Sequence, residues 1–233
     1  MTEIVIINRS TALTDAQIQA VIPAWQKWLN TLVAPAYGLD QFALFFSGGK
    51  SGGPDFSGMW KVEVLDHADE PDALGYHLDD QGRVSGKLFA ADCIADGVSW
   101  SVDGTHELGE MAVDPTANIL VALPGGVQTI KEIADPVEGD QLGIEIDGVL
   151  CSDFVLPSYF SEGPGPWDMR SQMLGIIGFA GPAPTLAPGG YISLMENGQW
   201  TQKFAELADG RLSDRAARHV QRLGRHAWRR LVA

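Results

Sequence analysis

Apolar residues near the amino terminus follow first a strand pattern and then a helix pattern. The β-branched run from Ile4 to Ile7 predicts a short buried strand. Thr14 to Gln17 has the form of a capping box, with a hydroxyl at the cap and an amide three residues later. Apolar residues then recur every three or four positions, which predicts a core-facing helix of about 18 residues. They are Ile18, Val21, Ile22, Trp25, Trp28, Leu29 and Leu32.

Further along the chain, short apolar or alternating segments predict strands, one more helix and several hairpins. The predicted strands lie at 42–46, 59–65, 73–77 and 84–90. A helix is expected over 101–113, ending at Asp114 because a residue before proline disfavours the helical conformation. Three hairpins follow, at 119–133 around Pro124-Gly125-Gly126, at 143–151 around Asp147-Gly148, and at 191–204 around Asn197-Gly198. The pattern therefore predicts an α+β fold.

Charge divides the chain into an acidic body and a basic tail. The net charge is −14, yet residues 209–233 hold seven Arg against two Asp, a net +5, which leaves −19 for residues 1–208. We predict one α+β domain over 1–208, with a hairpin-rich part at 117–208, and a basic helical tail at 209–233. The tail has two interpretations. It docks on the body through its apolar stripe, which we favour, or it contacts an acidic or polyanionic partner.

Composition excludes several classes of protein. The acidic surplus argues against a nucleic-acid-binding body. Neither a signal peptide nor a run of about 18 apolar residues is visible, so a soluble protein kept inside a cell, without a membrane span, is expected. Cys93 and Cys151 are too few for a disulfide framework, and whether they pair stays open. Gly49-Lys50-Ser51 lacks the first glycine of a phosphate loop, so nucleotide binding is not expected there.

One segment of the predicted helix carries residues suited to metal chemistry. His106 and Glu110 are four residues apart, so they share a helix face and can direct a nitrogen and an oxygen at one point. Glu107 projects about 100° around the helix, on the flank of that point. This is the geometry of the His-Glu-x-x-His zinc helix, with two ligands one turn apart and a general base beside them. Here Glu110 stands where the second histidine would be.

With that segment the sequence resembles the zincin-like metallopeptidases of bacteria and phages. The resemblance covers residues 1–160 and is strongest over 99–160: Ser99 to Pro115, Glu132 to Glu138, and Val149 to Phe160. It implies a zincin-like fold, a mixed twisted sheet with a long amino-terminal helix and a metal-binding helix, followed by hairpins and a carboxy-terminal helix. It also implies that His106 and Glu110 bind the metal and that Glu107 is the catalytic base activating a water on it.

The third metal ligand is expected among the acids that follow the helix. Glu132 is preferred because strand alternation turns Ile133 to the core and Glu132 towards a site. Asp135, in an extended position before a proline, comes second; Glu138 and Asp114 are further candidates. The cofactor is a divalent metal, with zinc preferred, although one histidine with carboxylates also accepts manganese or iron. Residues 101–147 hold ten acids and one base, an excess of negative charge that a cation would relieve.

Each of these patterns also has a simpler interpretation. In that interpretation, His106 and Glu110 form an ordinary side-chain pair, Asp114 only ends the helix, and the acids at 132–140 belong to a solvated loop. His67 and His77 have no partner motif and are expected at the surface. Two functions remain: a metal-dependent peptidase in the cytoplasm that acts on a peptide or protein substrate, or a catalytically degenerate binding module, including one associated with a virion. The missing second histidine favours the degenerate module.

Overall fold

Parallel strand pairing organises the amino-terminal half of the chain. The computed structural model describes residues 1–49, 56–69, 73–79, 82–123, 127–161, 165–171 and 185–206. Five strands form one mixed sheet: β1 (Thr2–Asn8), β2 (Phe42–Ser47), β3 (Trp60–Leu65), β4 (Gly75–Asp79) and β5 (Val84–Phe89). Their spatial order is β2-β1-β3-β5-β4, and all neighbours are parallel except β4 and β5. Strand β4 is therefore an antiparallel edge strand.

Strand β1 lies inside this sheet and forms much of its core. Ile4, Val5 and Ile6 are completely buried and Ile7 is nearly so. Successive side chains of a strand point to opposite faces, so consecutive burial means that both faces of the sheet are covered. This is why the sequence shows a continuous apolar run at this strand rather than an alternating one.

The predicted amino-terminal helix begins at its capping box. Thr14 Oγ1 accepts the Gln17 N–H at 3.3 Å, and Gln17 Oε1 accepts the Thr14 N–H at 2.9 Å. Helix α1 (Asp15–Trp28) continues through a π-helical turn (Leu29–Val33) into the short helix α2 (Ala34–Tyr37). The predicted apolar stripe therefore spans α1 and the π-helical turn.

Two helices follow the sheet, and the second one is buried on all sides. Helix α3 (Ala90–Asp96) is succeeded by helix α4 (Trp100–Val113), which ends at Asp114 as predicted. Every residue of α4 from Ser101 to Val113 is buried. It contacts β4, β5 and α3. Polar residues on this helix are therefore removed from bulk water whichever way they point.

A close approach between α1 and α4 depends on Gly104. A Cβ atom at this position would lie 2.5 Å from Trp25 Cη2. Trp25 is completely buried, and its Nε1 donates to Ser101 Oγ at 2.9 Å. The indole therefore fills the space that a side chain at position 104 would need, and it holds α4 against α1.

Among the described residues after α4, hairpins are the main elements. Strands β6 (Leu120–Ala122), β7 (Gln128–Ile130), β10 (Tyr191–Glu196) and β11 (Gln199–Phe204) form an antiparallel sheet in the order β11-β10-β7-β6. Strands β8 (Ile144–Ile146) and β9 (Val149–Cys151) form a separate hairpin. Single 3₁₀ turns lie at Asp135–Val137, Asp140–Leu142 and Pro157–Phe160. The first of these turns contacts β10 and brings the chain back towards α4.

The α+β prediction is confirmed in its general form, with helices beside mixed and antiparallel sheets. The three hairpins pair as expected. Several strand boundaries differ by one to three residues: the strand predicted at 73–77 is β4 at Gly75–Asp79, the one predicted to end at 133 is β7 and ends at Ile130, and the one predicted to end at Ala90 ends at Phe89, directly before α3. A short apolar run carries no signal of where a strand gives way to a helix, so α3 escaped prediction.

Three other expectations have different outcomes. Cys93 and Cys151 are buried free thiols and do not pair. Within the described ranges, no helix has the length and apolar character needed to cross a bilayer. The basic tail at 209–233, its boundary at 208, the turn at 124–126 and the Lys50-Ser51 segment lie outside the described residues.

Candidate metal centre

Helix α4 supplies three neighbouring polar side chains to one cavity. His106, Glu107 and Glu110 all line it, and each is at most 6% exposed. His106 Nε2 lies 3.3 Å from Glu110 Oε2, one turn further along the helix. The spacing of four residues therefore brings an imidazole nitrogen and a carboxylate oxygen together, as the sequence predicts.

Asp135 completes this group from the opposite side. It begins the 3₁₀ turn after β7, and its Oδ1 lies 3.1 Å from His106 Nε2. The turn is fixed to α4 because the Ala134 N–H donates to Glu110 Oε1 at 3.1 Å. That bond occupies one oxygen of Glu110 and leaves Oε2 beside His106. The ligand atoms of His106, Glu110 and Asp135 lie within 4.8 Å of one another.

Edge strand β4 contributes His77, which the sequence had placed at the surface. That expectation is wrong, because the His77 side chain is only 4% exposed. Its Nε2 lies 3.0 Å from the carbonyl oxygen of Asp114. A carbonyl oxygen can only accept, so Nε2 carries a proton and Nδ1 is the ring nitrogen that faces the carboxylates of the cavity. Nδ1 lies 3.6 Å from Glu107 Oε2 and 3.9 Å from Glu110 Oε2.

Glu132 also reaches the cavity, but it belongs to a different group from Asp135. Its Oε2 lies 3.9 Å from His77 Nε2. His77, Glu110 and Glu132 form a second set of potential ligands within 4.8 Å of one another. The sequence ranks Glu132 above Asp135 as partner of His106, whereas the structure brings Asp135 closest to that histidine. Ile133 is completely buried and Glu132 lines the cavity, but strand β7 ends at Ile130, so the strand alternation expected over 127–133 is not what separates these two side chains.

The other acidic candidates divide between the cavity and a structural role. Glu138 lines the cavity, together with Asp103 of α4. Asp114 instead satisfies backbone and side-chain donors beyond the helix end, because its carboxylate accepts the Ile119 N–H at 2.7 Å and the Thr116 hydroxyl at 3.3 Å. The simpler interpretation of Asp114 as a local capping residue therefore describes its contacts.

The cavity is a small polar pocket between the two sheets. Its volume is about 180 Å³. Strand β4 forms one wall, and Tyr191, Ser193 and Gln202 of β10 and β11 form another. The backbone of β4 approaches α4 closely at Gly75, where a Cβ atom would lie 2.6 Å from Glu107 Oε1. Glu107 is thus held between the edge strand and its own helix.

Burial and neighbouring charges shift the pKa values of these groups, and the two effects oppose each other at His106 but add at Glu132 and Tyr191. Burial lowers the pKa of His106, but the charge of Glu110 and the hydrogen bond with Asp135 outweigh it, and the pKa rises well above its ordinary value. Burial, followed by the charges of Glu110 and Asp135, raises the pKa of Glu132 well above its usual range. Burial and the charge of Asp135 do the same for the Tyr191 hydroxyl. Without a cation, the cluster therefore retains protons that metal binding would displace.

The donor set fits a divalent metal at His106. A tetrahedral ion with bonds of about 2.0–2.2 Å holds its ligand atoms about 3.3–3.6 Å apart. The separations of 3.3 Å and 3.1 Å from His106 Nε2 to Glu110 and Asp135 are close to that range. Among the described residues, Glu107 Oε2 and Glu132 Oε2 are buried without a hydrogen-bond partner, which is the state expected of oxygens beside a cation site.

The histidine on β4 is the part of this cluster that the sequence does not reveal. His77 is separated from His106 by 28 residues and shares no motif with it. The sequence predicts a strand at 73–77, which includes His77. It does not reveal that this strand lies at the edge of the sheet, because the order of strands in a sheet is set by tertiary structure. Comparisons with protein-family models, with curated proteins and with solved structures find no match for this chain.

Proposed function

We propose that this protein is a zincin-like metalloprotein that hydrolyses peptide bonds with a metal held by His106, Glu110 and Asp135. The observation that carries the proposal is the convergence of His106 Nε2, Glu110 Oε2 and Asp135 Oδ1 in a buried cavity. Two carboxylates and one imidazole are ligands for a divalent ion, with zinc preferred and manganese or iron also compatible.

The order of elements supports a zincin-like fold. A strand and a long helix come first, followed by further strands, and the helix with His106 and Glu107 comes after the sheet. Strand β4, at the edge of that sheet, runs antiparallel to its neighbour and lies against this helix. The order of strand, long helix, further strands and metal-binding helix is the one that the resemblance of residues 1–160 implies.

Glu107 is suited to the role of general base. Its Oε1 lies beside Gly75 of β4, where an added Cβ atom would be 2.6 Å away, whereas its Oε2 has no hydrogen-bond partner among the described residues. A carboxylate with a free, buried oxygen beside the ligand cluster can accept a proton from an attacking water and pass it to the leaving amine. A divalent metal, when bound, would supply Lewis-acid polarisation of the scissile carbonyl and acidify water.

A second candidate function is a catalytically degenerate binding module, including a virion-associated one, in which the metal is structural. Two observations favour it. The helix offers Glu110 in place of a second histidine, and every ligand of the proposed site is at most 6% exposed. A closed site with full protein ligation stabilises a fold, whereas a catalytic metal needs an open position.

Metal analysis of the purified chain, followed by assays with a peptide library, separates these functions. We expect bound metal in the wild type and its loss in His106→Ala. Glu107→Gln should keep the metal and lose hydrolysis by about 10²–10⁴-fold, as expected for removal of a general base. Metal without any hydrolysis would favour the degenerate module. Absence of metal in the wild type would refute both functions.

A further inference from the structure

We propose that the cavity binds two divalent cations rather than one, with Glu110 as the bridging carboxylate. The second ion would lie between His77, Glu110 and Glu132, beside the ion held by His106, Glu110 and Asp135. The inference rests on the proposed function, because the two sites share Glu110. It adds a binding site on β4 and after β7 that the motif on α4 does not contain.

His77 has the orientation of a metal ligand. Its Nε2–H is directed at the Asp114 carbonyl, 3.0 Å away, so the ring is fixed and Nδ1 is the nitrogen that faces Glu107 and Glu110 and could bind an ion. Metal-binding histidines usually donate their other ring N–H to a carbonyl or carboxylate in this way. Asp114 thus fixes the second histidine through its backbone oxygen, although its carboxylate is engaged elsewhere.

Two buried carboxylate oxygens near His77 accept no hydrogen bond from the described residues. Glu107 Oε2 and Glu132 Oε2 have no hydrogen bond among the described residues. The side chain of Glu107 is only 8% exposed, and its Oε2 is 3.6 Å from His77 Nδ1. An ionised oxygen in such surroundings is costly unless it is paired or coordinates a metal. The first metal set uses neither oxygen, whereas an ion in the second set would bind Glu132 Oε2 directly and bring positive charge close to Glu107 Oε2, which stays free as the base.

With all its carboxylates ionised, the cavity holds more negative charge than one divalent ion balances. Six carboxylates line the cavity with two histidines, and among the described lining residues there is no lysine or arginine. They are Asp103, Glu107, Glu110, Glu132, Asp135 and Glu138. A single divalent cation offsets two negative charges, whereas two cations offset four. The remaining charge is within the reach of protonation and hydrogen bonding.

Glu110 is placed to bridge because its two oxygens have different partners. Oε1 is held by the Ala134 N–H, so Oε2 is the atom that both histidines face. Oε2 lies 3.3 Å from His106 Nε2 and 3.9 Å from His77 Nδ1. Paired catalytic metals are typically about 3.5–4 Å apart and share ligands in this manner. The set around His77 is the wider of the two, so we expect it to bind its ion more weakly.

Stoichiometry tests the proposal directly. The full chain is stripped with a chelator and titrated with Zn²⁺ alone and with Mn²⁺ alone, by calorimetry and by elemental analysis after dialysis. We expect two ions per chain in the wild type and one in His77→Ala. Glu132→Gln, which keeps the volume of the side chain, should also bind one. His67→Ala is the matched control, since His67 is an exposed histidine whose side chain is 76% accessible, and it should still bind two.

Electron paramagnetic resonance of the Mn²⁺-loaded chain supplies a readout that does not depend on activity. Two ions bridged by one carboxylate should give a spin-coupled signal, and His77→Ala should replace it with the six-line signal of an isolated ion. One ion per chain, lost in His106→Ala but kept in His77→Ala, would overturn the two-metal proposal and leave the proposed function intact. No bound ion in the wild type would overturn both.

Discussion

Gly75 controls the position of the proposed base, because it leaves room for Glu107 between β4 and α4. We predict that Gly75→Ala lowers kcat/KM for peptide hydrolysis by about 10²-fold, since a displacement of a catalytic group by 1 Å has an effect of that size. The new Cβ would lie 2.6 Å from Glu107 Oε1 and would push the carboxylate aside. The three atoms nearest to that Cβ all belong to Glu107 and none to the metal ligands His106 and Asp135, so the metal content should be unchanged.

Steady-state assays and elemental analysis of the same preparation check this prediction. Ser85→Ala, in the neighbouring strand β5, is the control and should retain both activity and metal. If Gly75→Ala loses metal as well as activity, the residue supports the whole cluster rather than Glu107 in particular.

Asp153, a buried residue outside the metal centre, should make the stability of the protein depend on pH. Its Oδ1 accepts the N–H groups of Phe154 and Arg170, and burial with the charge of Asp168 raises its pKa to about 8. An unfolded aspartate ionises near pH 3.9. The folded state therefore binds the extra proton between about pH 4 and pH 8, and the free energy of unfolding from this group falls as the pH rises through that window.

We expect Asp153→Asn to remove this part of the pH dependence. The amide oxygen can keep both backbone hydrogen bonds, and asparagine cannot ionise. The slope for one proton is at most about 1.4 kcal/mol per pH unit, so urea denaturation at pH 5 and pH 8 resolves it. Asp147→Asn, at an exposed aspartate paired with Lys27, is the control and should follow the wild type. An equal pH dependence in Asp153→Asn and the wild type would contradict the assignment.

At the scale of single elements, the packing of α4 against α1 should tolerate no side chain at position 104. Alanine has a higher helix propensity than glycine by about 1 kcal/mol, so an exposed helix would gain from the change. Here the methyl group would lie 2.5 Å from Trp25 Cη2. We predict that Gly104→Ala destabilises the protein by about 1–3 kcal/mol, the usual effect of overpacking a core.

Urea denaturation of Gly104→Ala and of the exposed variant Gln19→Ala measures this effect. The control should lie within about 0.5 kcal/mol of the wild type. A Gly104→Ala variant as stable as the wild type would mean that Trp25 can move, and that glycine is not needed for the contact.

Local sequence patterns predict the helices and strands of this protein better than they predict which residues meet in the candidate metal centre. The capping box at Thr14 and the proline after Asp114 mark helix ends, because the signals lie within a few residues. The four-residue spacing likewise brings His106 to Glu110. His77 could not be predicted in this way, because its burial depends on β4 being the edge strand beside β5 and on α4 covering it. Long-range pairing leaves no periodic signal in the sequence.

For the molecule as a whole, the acidity of residues 101–147 has two separate structural causes. Some of the acids converge on the cavity from elements that are distant in sequence; they are Asp103, Glu107, Glu110, Glu132, Asp135 and Glu138. Others serve the fold or the surface, as Asp147 does in its exposed pair with Lys27. The net charge therefore combines a repulsive buried cluster with ordinary surface charge, and only the buried cluster weakens the folded state appreciably.

The cluster makes the stability of the whole fold depend on divalent cations. The ion at His106 joins α4 to the segment after β7, and an ion at His77 would add β4. At a free concentration of 100 times the Kd, one ion adds about 2.7 kcal/mol to the free energy of unfolding. For a chain of this size that corresponds to a rise in Tm of about 5–10 °C. We predict this rise with Zn²⁺ or Mn²⁺ and its reversal by a chelator.

Differential scanning fluorimetry of the full chain checks the prediction and locates its cause. His106→Ala should lose most of the rise, whereas His67→Ala should retain it, because His106 lies among the buried carboxylates and His67 is exposed. NaCl at matched ionic strength should not reproduce the rise, since screening weakens long-range repulsion but supplies no ligand bonds. A Tm that responds equally to Na⁺ and to Zn²⁺ would show that the cluster is stabilised by screening alone and is not a metal centre.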